Sequence, residues 1–460
     1  MNHQNIAPVK LDRALSFWDA FSIVAGGVIG TGIFIKVATM TQAMGSFGYV
    51  MLAWIIAGLL SLSGALVYGE LGTLYPQAGG EYVYLRESFG TFTAFLYGWQ
   101  RTLIANPGSL AAYAVGAAIF LSSAVNLEGF AIGPVKGPNA VATFFILFFT
   151  IINCFKVSVG GRLQTVMTAI KVLLIVGLAL VLFVSGKGDV SHFFQGSEDK
   201  IGWPGFGAFS AAMIAALWAY DGWNNLPMMA GEIKNPKRNV PLSLVIGMLT
   251  VLILYSLVNL AYFYVLPIPE ILSSNSNAFP DALPAATKAV QVIMGAGAVK
   301  FMSVMFMISA LGALNGSTMS FARVPFAMAK DGVFFKPLAK VHPTTHVPMI
   351  SIIVQLIVSC IFAALLDFDK ITNYVIFSSW IFYALVTSSI FKFRKMHGVP
   401  KEGYRTWGYP WMPIIFIVVS AFLLYNTVRD SMRDSLIGLG IIAAGIPLYW
   451  LFKKKNQTVI

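Results

Sequence analysis

Apolar residues in this chain fall in long, nearly unbroken runs instead of at the spacing of an amphipathic surface helix. Twelve runs stand out, at about 16–41, 48–72, 92–123, 140–156, 163–185, 207–231, 241–266, 296–328, 348–366, 371–393, 411–428 and 435–452. A run of roughly 18 or more apolar residues with few charges is long enough to cross a bilayer as a helix. The pattern therefore predicts an all-α membrane protein with about twelve transmembrane helices. Residues 1–15 are polar, and no cleavage site follows the first run before the second begins, so the first helix is expected to stay in the protein. The stretches between runs reach only about 30 residues, which leaves no room for a soluble domain. Two fused membrane domains would need a hydrophilic linker, and none is present.

Two of the runs are interrupted by residues that helices avoid. The first reads Ala25-Gly26-Gly27-Val28-Ile29-Gly30-Thr31-Gly32-Ile33-Phe34. Unwound backbone survives at membrane depth only where it lines a cavity, because lipid cannot hydrogen-bond it. Close packing of small residues is the plainer explanation of such a cluster. The sixth run reads Trp218-Ala219-Tyr220-Asp221-Gly222-Trp223-Asn224-Asn225-Leu226-Pro227, and there Gly222 and Pro227 work against continuation. Five spans separate the starts of the two interrupted runs. Five is odd, so a repeat of the first five spans would enter from the opposite side, as in inverted-repeat transporters whose broken helices meet at the midplane. The expected layout is a tail at 1–15 and a ten-helix core at 16–393. Its repeats run over about 16–185 and 207–393, with two more helices at 394–452 and a tail at 453–460.

Composition sharpens the class. The chain has 460 residues, of which 57% are hydrophobic and 11% charged, with a mean hydropathy of +0.75. Soluble domains carry about 25% charged residues. The formal charge of +12 would suit nucleic acid if it were clustered, but its placement points to the bilayer. With the N-terminus inside, the internal segments hold about 20 of the 31 Lys and Arg residues, among them Lys234, Lys237, Arg238, Lys392, Arg394 and the tail Lys453–Lys455. That excess is the signature of cytoplasmic loops, and it puts both termini inside. The partners expected on this basis are a lipid bilayer and no nucleic acid. Cys154 and Cys360 have neither metal-site nor redox spacing, and no Cys lies in an external loop. No metal or cofactor is expected.

The breaks suggest what they hold. A half-helix starting at Thr31 or Gly32 offers free N–H groups and a positive dipole end, which favour a carboxylate. A half-helix ending near Trp218–Tyr220 offers free carbonyls and a negative end, which favour an ammonium. An α-amino acid fits between them, as would a peptide or an amine beside an anion.

At this point the chain resembles the amino acid–polyamine–organocation transporters, within them the L-type amino acid transporter branch. The resemblance runs through nearly the whole chain. It is carried by Gly30-Thr31-Gly32-Ile33-Phe34, by Gly69-Glu70-Leu71 with Gly79-Gly80-Glu81-Tyr82, and by Trp218-Ala219-Tyr220-Asp221-Gly222-Trp223-Asn224 followed by Glu232-Ile233-Lys234-Asn235-Pro236. Leu314-Asn315-Gly316-Ser317 with Arg323 completes it. The resemblance implies a LeuT-type fold of two five-helix inverted repeats with discontinuous first and sixth helices. It implies a substrate carboxylate held by the backbone at Gly30, Thr31 and Gly32, and an amine held near Val28, Trp218, Ala219 and Asp221. Trp218 matches the aromatic that closes over the substrate from outside. Asn106, Asn315 and Ser317 are expected to face the pocket.

Lys171 lies about nine residues, roughly 13 Å, into its predicted helix, which makes escape of its ammonium to the cytoplasm by snorkelling difficult. The resemblance implies that the ammonium replaces the cation of sodium-coupled relatives by bonding first-helix carbonyls. Many relatives have Ser where this chain has Ala313. Asp221 either caps the second half-helix or favours cationic substrates. Glu70 and Arg101 are read as structural, with a pair between them left open. No catalytic grouping falls inside the spans, since the histidines sit in loops and the N-terminal tail, so an enzyme is not expected. The expectation is a sodium-independent transporter, as an exchanger, of small or medium neutral L-amino acids by alternating access. A cationic amino acid or polyamine antiporter, a proton-coupled permease and, in another class, a channel or receptor are the alternatives. The mammalian L-type members' heavy chain attaches through an external Cys, so no disulfide-linked heavy chain is expected here, and a bacterial plasma membrane is the expected location.

Overall fold

Glycine or proline stands at many of the points where helices begin or break in the computed structural model of this chain. It describes residues 10–457 except 123, 126, 128, 197–201, 277, 280, 366–367, 401 and 431; most of the N-terminal tail and residues 458–460 lie outside the described residues. The first predicted span is two helices, α1 (Phe17–Val28) and α2 (Gly32–Met44). Helix α3 (Phe47–Leu74) follows, then a short α4 (Glu81–Phe89) and α5 (Thr91–Gln100). A π-helical turn, Arg101–Ala105, joins α5 to α6 (Asn106–Ser122). A two-stranded hairpin, β1 (Ala131–Ile132) and β2 (Val135–Lys136), precedes α7 (Gly137–Asn153) and α8 (Val157–Val184). The sixth predicted span is α9 (Phe206–Ala219) and a single turn, α10 (Asn225–Met228). Then come α11 (Pro236–Val265), the short α12 (Ile268–Leu272) and α13 (Ala285–Met294), α14 (Gly297–Phe321) and α15 (Arg323–Lys330). Helices α16 (Met349–Leu365), α17 (Phe368–His397), α18 (Trp411–Asp430) and α19 (Met432–Gln457) complete the chain.

Among the described residues, eight helical segments are long and apolar enough to cross a bilayer, and four shorter apolar helices accompany them. The chain is thus an all-helical, multi-pass membrane protein. Several edges differ from the sequence reading. Helix α8 starts at Val157, not near 163, and α19 runs into the segment read as a tail. The single span read at 296–328 is split at Ala322. Helices α4 and α12 and the hairpin left no hydropathy signal, and the short apolar α13 fell outside the twelve runs.

Helix α1 packs on α8, α11 and α14, while α2 packs on α9. Helix α3 packs on α11 and α18, and α6 on α7, α14, α16 and α17. A capping box opens α1: the Asp19 N–H donates to Ser16 Oγ and Asp19 Oδ2 accepts from the Ser16 N–H at 2.8 Å. The strand-like entry to α1 is pinned where Leu15 N–H donates to the Glu232 carbonyl at 3.0 Å and Lys234 N–H to the Leu15 carbonyl at 2.8 Å.

Buried charges are paired off. Glu232 takes Arg323 through two bonds of 2.7 and 2.8 Å. Glu70 and Arg101 do not meet. Glu70 accepts two bonds from Arg394, at 2.9 and 2.8 Å, plus the Thr406 N–H. Arg101 turns instead to Glu81 at 3.2 Å. A fork-on-carboxylate pair satisfies both partners of a charge that lipid or core would otherwise strand.

Candidate substrate site at the crossed helix breaks

Between α1 and α2 only Ile29–Thr31 lie outside regular helix. Gly30 N–H donates back to the Val28 carbonyl at 2.7 Å, closing a three-residue turn. Helix α2 then begins with Thr31 in the N-cap position and no side-chain cap. The N–H groups of Thr31, Gly32 and Ile33 have no acceptor among the described residues. Three orphan donors at a positive helix end form a ready anion site. The set differs by one member from the expected one: the Gly30 amide is occupied within the turn, and the Ile33 amide, which no side-chain pattern reveals, is free.

The second break runs from Tyr220 to Asn224. Gly222 has φ +114°, and a Cβ there would stand 2.9 Å from the Gly27 carbonyl oxygen. A Cβ on Gly32 would stand 2.6 Å from Ala219 Cβ. The two breaks therefore touch backbone to backbone. The glycine cluster serves both purposes weighed for it: Gly27 and Gly32 allow close approach, while Gly30 faces open space.

A cleft opens beside this crossing, with about 1120 Å³ of space including its mouth. Val28, Gly30, Thr31, Gly32, Trp218, Ala219 and Asp221 all line it. The other walls come from α6 through Ser109 and Tyr113, from α17 through Trp380 and Tyr383, and from α18 through Leu423, Leu424 and Thr427. Asn106, Asn315 and Ser317 do not line the cleft, contrary to expectation. Asn106 Nδ2 donates to the Phe321 carbonyl at 3.4 Å. Asn315 is held by Gln164, Gly160 and Asn153 at 2.8, 3.3 and 3.0 Å. Ser317 accepts from Asn225 at 3.4 Å. The residue that α14 gives to the cleft is Ala310. Ser317 shares its face but lies about 10 Å further along, and Asn315 is turned roughly 140° away.

Asp221 does not cap α10, whose N-cap is Asn224. Its carboxylate accepts the Tyr383 hydroxyl at 3.0 Å. Tyr383 in turn accepts from Asn224 Nδ2 at 3.2 Å, and Asn224 leans on Glu81 at 3.4 Å. Glu81 also accepts Tyr68 at 2.7 Å, the Tyr97 hydroxyl and Arg101. A continuous buried chain thus runs from the cleft to α4.

Lys171 is 2% exposed and sits about 14 residues, roughly 21 Å, from the start of α8. Its ammonium donates to the Gly26 carbonyl at 2.9 Å and the Ile29 carbonyl at 2.8 Å. Gly312 leaves the room for its stem, since a Cβ there would be 2.4 Å from Lys171 Cε. Ser309 Oγ reaches the Ile29 and Gly30 carbonyls at 3.1 and 2.9 Å. One turn before Ala313, it supplies a hydroxyl to the same break. Tyr255 was also missed. Its hydroxyl lies 2.9 Å from the Val28 carbonyl and 3.0 Å from the Ala219 carbonyl, bridging both breaks. In sequence it reads as one more core aromatic. Among the described residues no three His, Cys, Asp or Glu side chains gather as a metal would require.

Comparison with known proteins gives the same picture. The chain is 33% identical to the serine/threonine exchanger SteT of Bacillus subtilis (strain 168), over 97% of this chain and 98% of the relative. It is 31% identical to the b(0,+)-type amino acid transporter 1 of Mus musculus, over 96% of this chain and 88% of the relative. The human cystine/glutamate transporter is 29% identical, over 96% of this chain and 86% of that protein. The family model described as amino acid permease matches residues 15–451. With two broken apolar helices crossing at a cleft of free backbone amides, and with that match along nearly its whole length, the chain belongs to the amino acid permease family.

Proposed function

We propose that the protein exchanges L-amino acids with small or medium neutral side chains across a bacterial plasma membrane, by alternating access and without sodium. The observation that carries this is the cleft at the crossing, where the free amides of Thr31, Gly32 and Ile33 face the carbonyl ends of α1 and α9. A carboxylate sits on the first set and an ammonium on the second, around Val28, Trp218, Ala219 and Asp221. The names of the relatives, a serine/threonine exchanger among them, agree with exchange of small neutral substrates. In this reading ten of the twelve apolar spans form a LeuT-type core of inverted repeats over about 16–185 and 207–393, with two further helices after it, and both termini are cytoplasmic. The antiparallel meeting of α1–α2 with α9–α10 supports the repeat. Trp218 then closes the cleft from the outside. Lys171 occupies the place of a coupling cation, which supports sodium independence. Neither Cys lies in an external loop, in agreement with a protein that works without a disulfide-linked heavy chain.

A second reading is favoured by one observation. Among the described residues Asp221 lines the cleft without a cationic side chain bonded to it in a salt bridge, which suits a cationic substrate, and four relatives are b(0,+)-type transporters. One experiment separates the two. Liposomes containing the purified protein and internal L-serine are given labelled L-serine, with each common amino acid and several polyamines as competitor. Neutral competitors are expected to block uptake most strongly. Stronger block by arginine, lysine or polyamines moves the assignment to the cationic class, and no uptake stimulated by internal substrate removes the exchanger.

A further inference from the structure

One face of α2 is built around the Trp218 ring. Gly32 and Lys36 are one turn apart, so they lie on the same side of the helix. Gly32 has no side chain, and a Cβ there would come within 3.1 Å of Trp218 Cζ3, so the indole lies against bare backbone. One turn on, the Lys36 ammonium stands over the ring at 4.8 Å from its centroid. A charged side chain within an apolar span is costly and needs a partner that offsets its desolvation. The face of Trp is the best aromatic partner for a cation. Trp218 is also part of the cleft wall, beside Leu217 and Ile214 of α9. Helices α2 and α9 are halves of different broken helices, so this contact ties the two across the mouth of the site.

We propose that Lys36 is a positioning residue of the transport cycle, holding the Trp218 indole over Gly32 so that the substrate is retained, with no contact to the substrate itself. This rests on the gating reading of Trp218 given above. Opening the site outward separates the ring from the ammonium, and closing it restores the contact.

The test uses the full-length protein in liposomes, with exchange of labelled L-serine measured for wild type, Lys36→Met, Lys36→Arg, Trp218→Leu and the double variant Lys36→Met/Trp218→Leu. Lys36→Met is expected to raise KM about fivefold, the scale of a partly exposed cation–π contact, while the maximal rate changes less. Lys36→Arg, which stacks on aromatic faces, is expected to retain the wild-type KM. The double variant is expected to match the KM of Trp218→Leu alone, because the proposed effect of Lys36 on substrate retention passes through that ring. A wild-type KM in Lys36→Met, or additive effects in the double variant, overturns the proposal. Thermal unfolding of the same variants in detergent reads the contact without transport. Non-additive shifts are expected, and additive shifts overturn the contact whether or not the protein exchanges anything. A non-additive unfolding cycle together with wild-type KM in Trp218→Leu removes the gate, and with it the role given to Lys36, while leaving the exchanger standing.

Discussion

Lys171 and Ile29 are joined by a 2.8 Å bond from a buried ammonium to a main-chain carbonyl that the helix break has released. The same ammonium holds Gly26 on the other side of the turn. Two main-chain carbonyls of the first break are therefore held by a side chain of the protein itself. The expected consequence is that uptake by the wild-type protein does not change when choline replaces sodium on both sides of the membrane. Lys171→Met is expected to lose exchange and to lower the unfolding midpoint, since each hydrogen bond to a charged group contributes about 1.5–3 kcal/mol. Sodium-stimulated uptake by the wild type would show that Lys171 does not stand in for a cation.

Gly30 and Gly32 are two residues apart and predict opposite failures. An added methyl at Gly32 meets Ala219 Cβ at 2.6 Å and Cα at 2.8 Å, so Gly32→Ala is expected to spoil the crossing and reduce the yield of folded protein. At Gly30 the nearest neighbour is the Val28 oxygen at 3.8 Å. Gly30→Ala is expected to fold with a near-wild-type midpoint, yet to weaken substrate binding because its methyl enters the cleft. Gly48→Ala, with nothing within 4 Å, is the control. Equal stability loss in the two cleft variants would contradict the division of roles.

Tyr255 bridges the Val28 and Ala219 carbonyls with one hydroxyl. Removing it in Tyr255→Phe costs about 1 kcal/mol of stability. More tellingly, the two half-helices lose their shared tie, so the maximal exchange rate is expected to fall several-fold while surface expression holds. Kinetics of exchange in liposomes at matched protein density check this. A variant with unchanged rate would make the tyrosine a packing residue only.

Glu81 and Arg101 form a buried pair, with Tyr97 and Tyr68 completing the carboxylate's contacts. Glu81→Gln leaves the guanidinium without its counter-charge, and a buried charge so stranded costs about 3–5 kcal/mol. The single variant is expected to express poorly or melt far below wild type. Glu81→Gln combined with Arg101→Met is expected to regain most of that stability, as measured by fluorescence-detected thermal unfolding in detergent. Destabilisation of the double variant by the full sum of the singles would deny the pairing.

How much of this was legible in the sequence differs from element to element. The apolar runs located the helices because spanning a bilayer demands about 20 apolar residues in a row, and that demand is written locally. The breaks at Gly30–Gly32 and Asp221–Gly222 were also legible, since glycine and proline act on their own backbone. That Lys171 lies within a span was legible too, but its depth was not: counting from about 163 gave nine residues, and the helix begins at Val157. Residue type and spacing did not tell the glycines that pack closely, Gly27 and Gly32, from Gly30, which has open space beside it. Nor did they distinguish Tyr255 from the other buried tyrosines. Asn106, Asn315 and Ser317 were expected at the site because they are polar residues in apolar spans, and that signal is the same for a residue bonding its neighbour helix as for one facing substrate. Asp221 was legible as a charge at a break, but not as the acceptor of Tyr383, which is 162 residues away. The partners of Glu70 and Lys36 likewise come from helices distant in sequence. The sequence by itself determined where the chain spans and where it unwinds, because those depend on nearest-neighbour chemistry. Which faces meet across the crossing, and so which amides stay free and which charges are answered, was decided only by the packing of helices that the chain order does not relate.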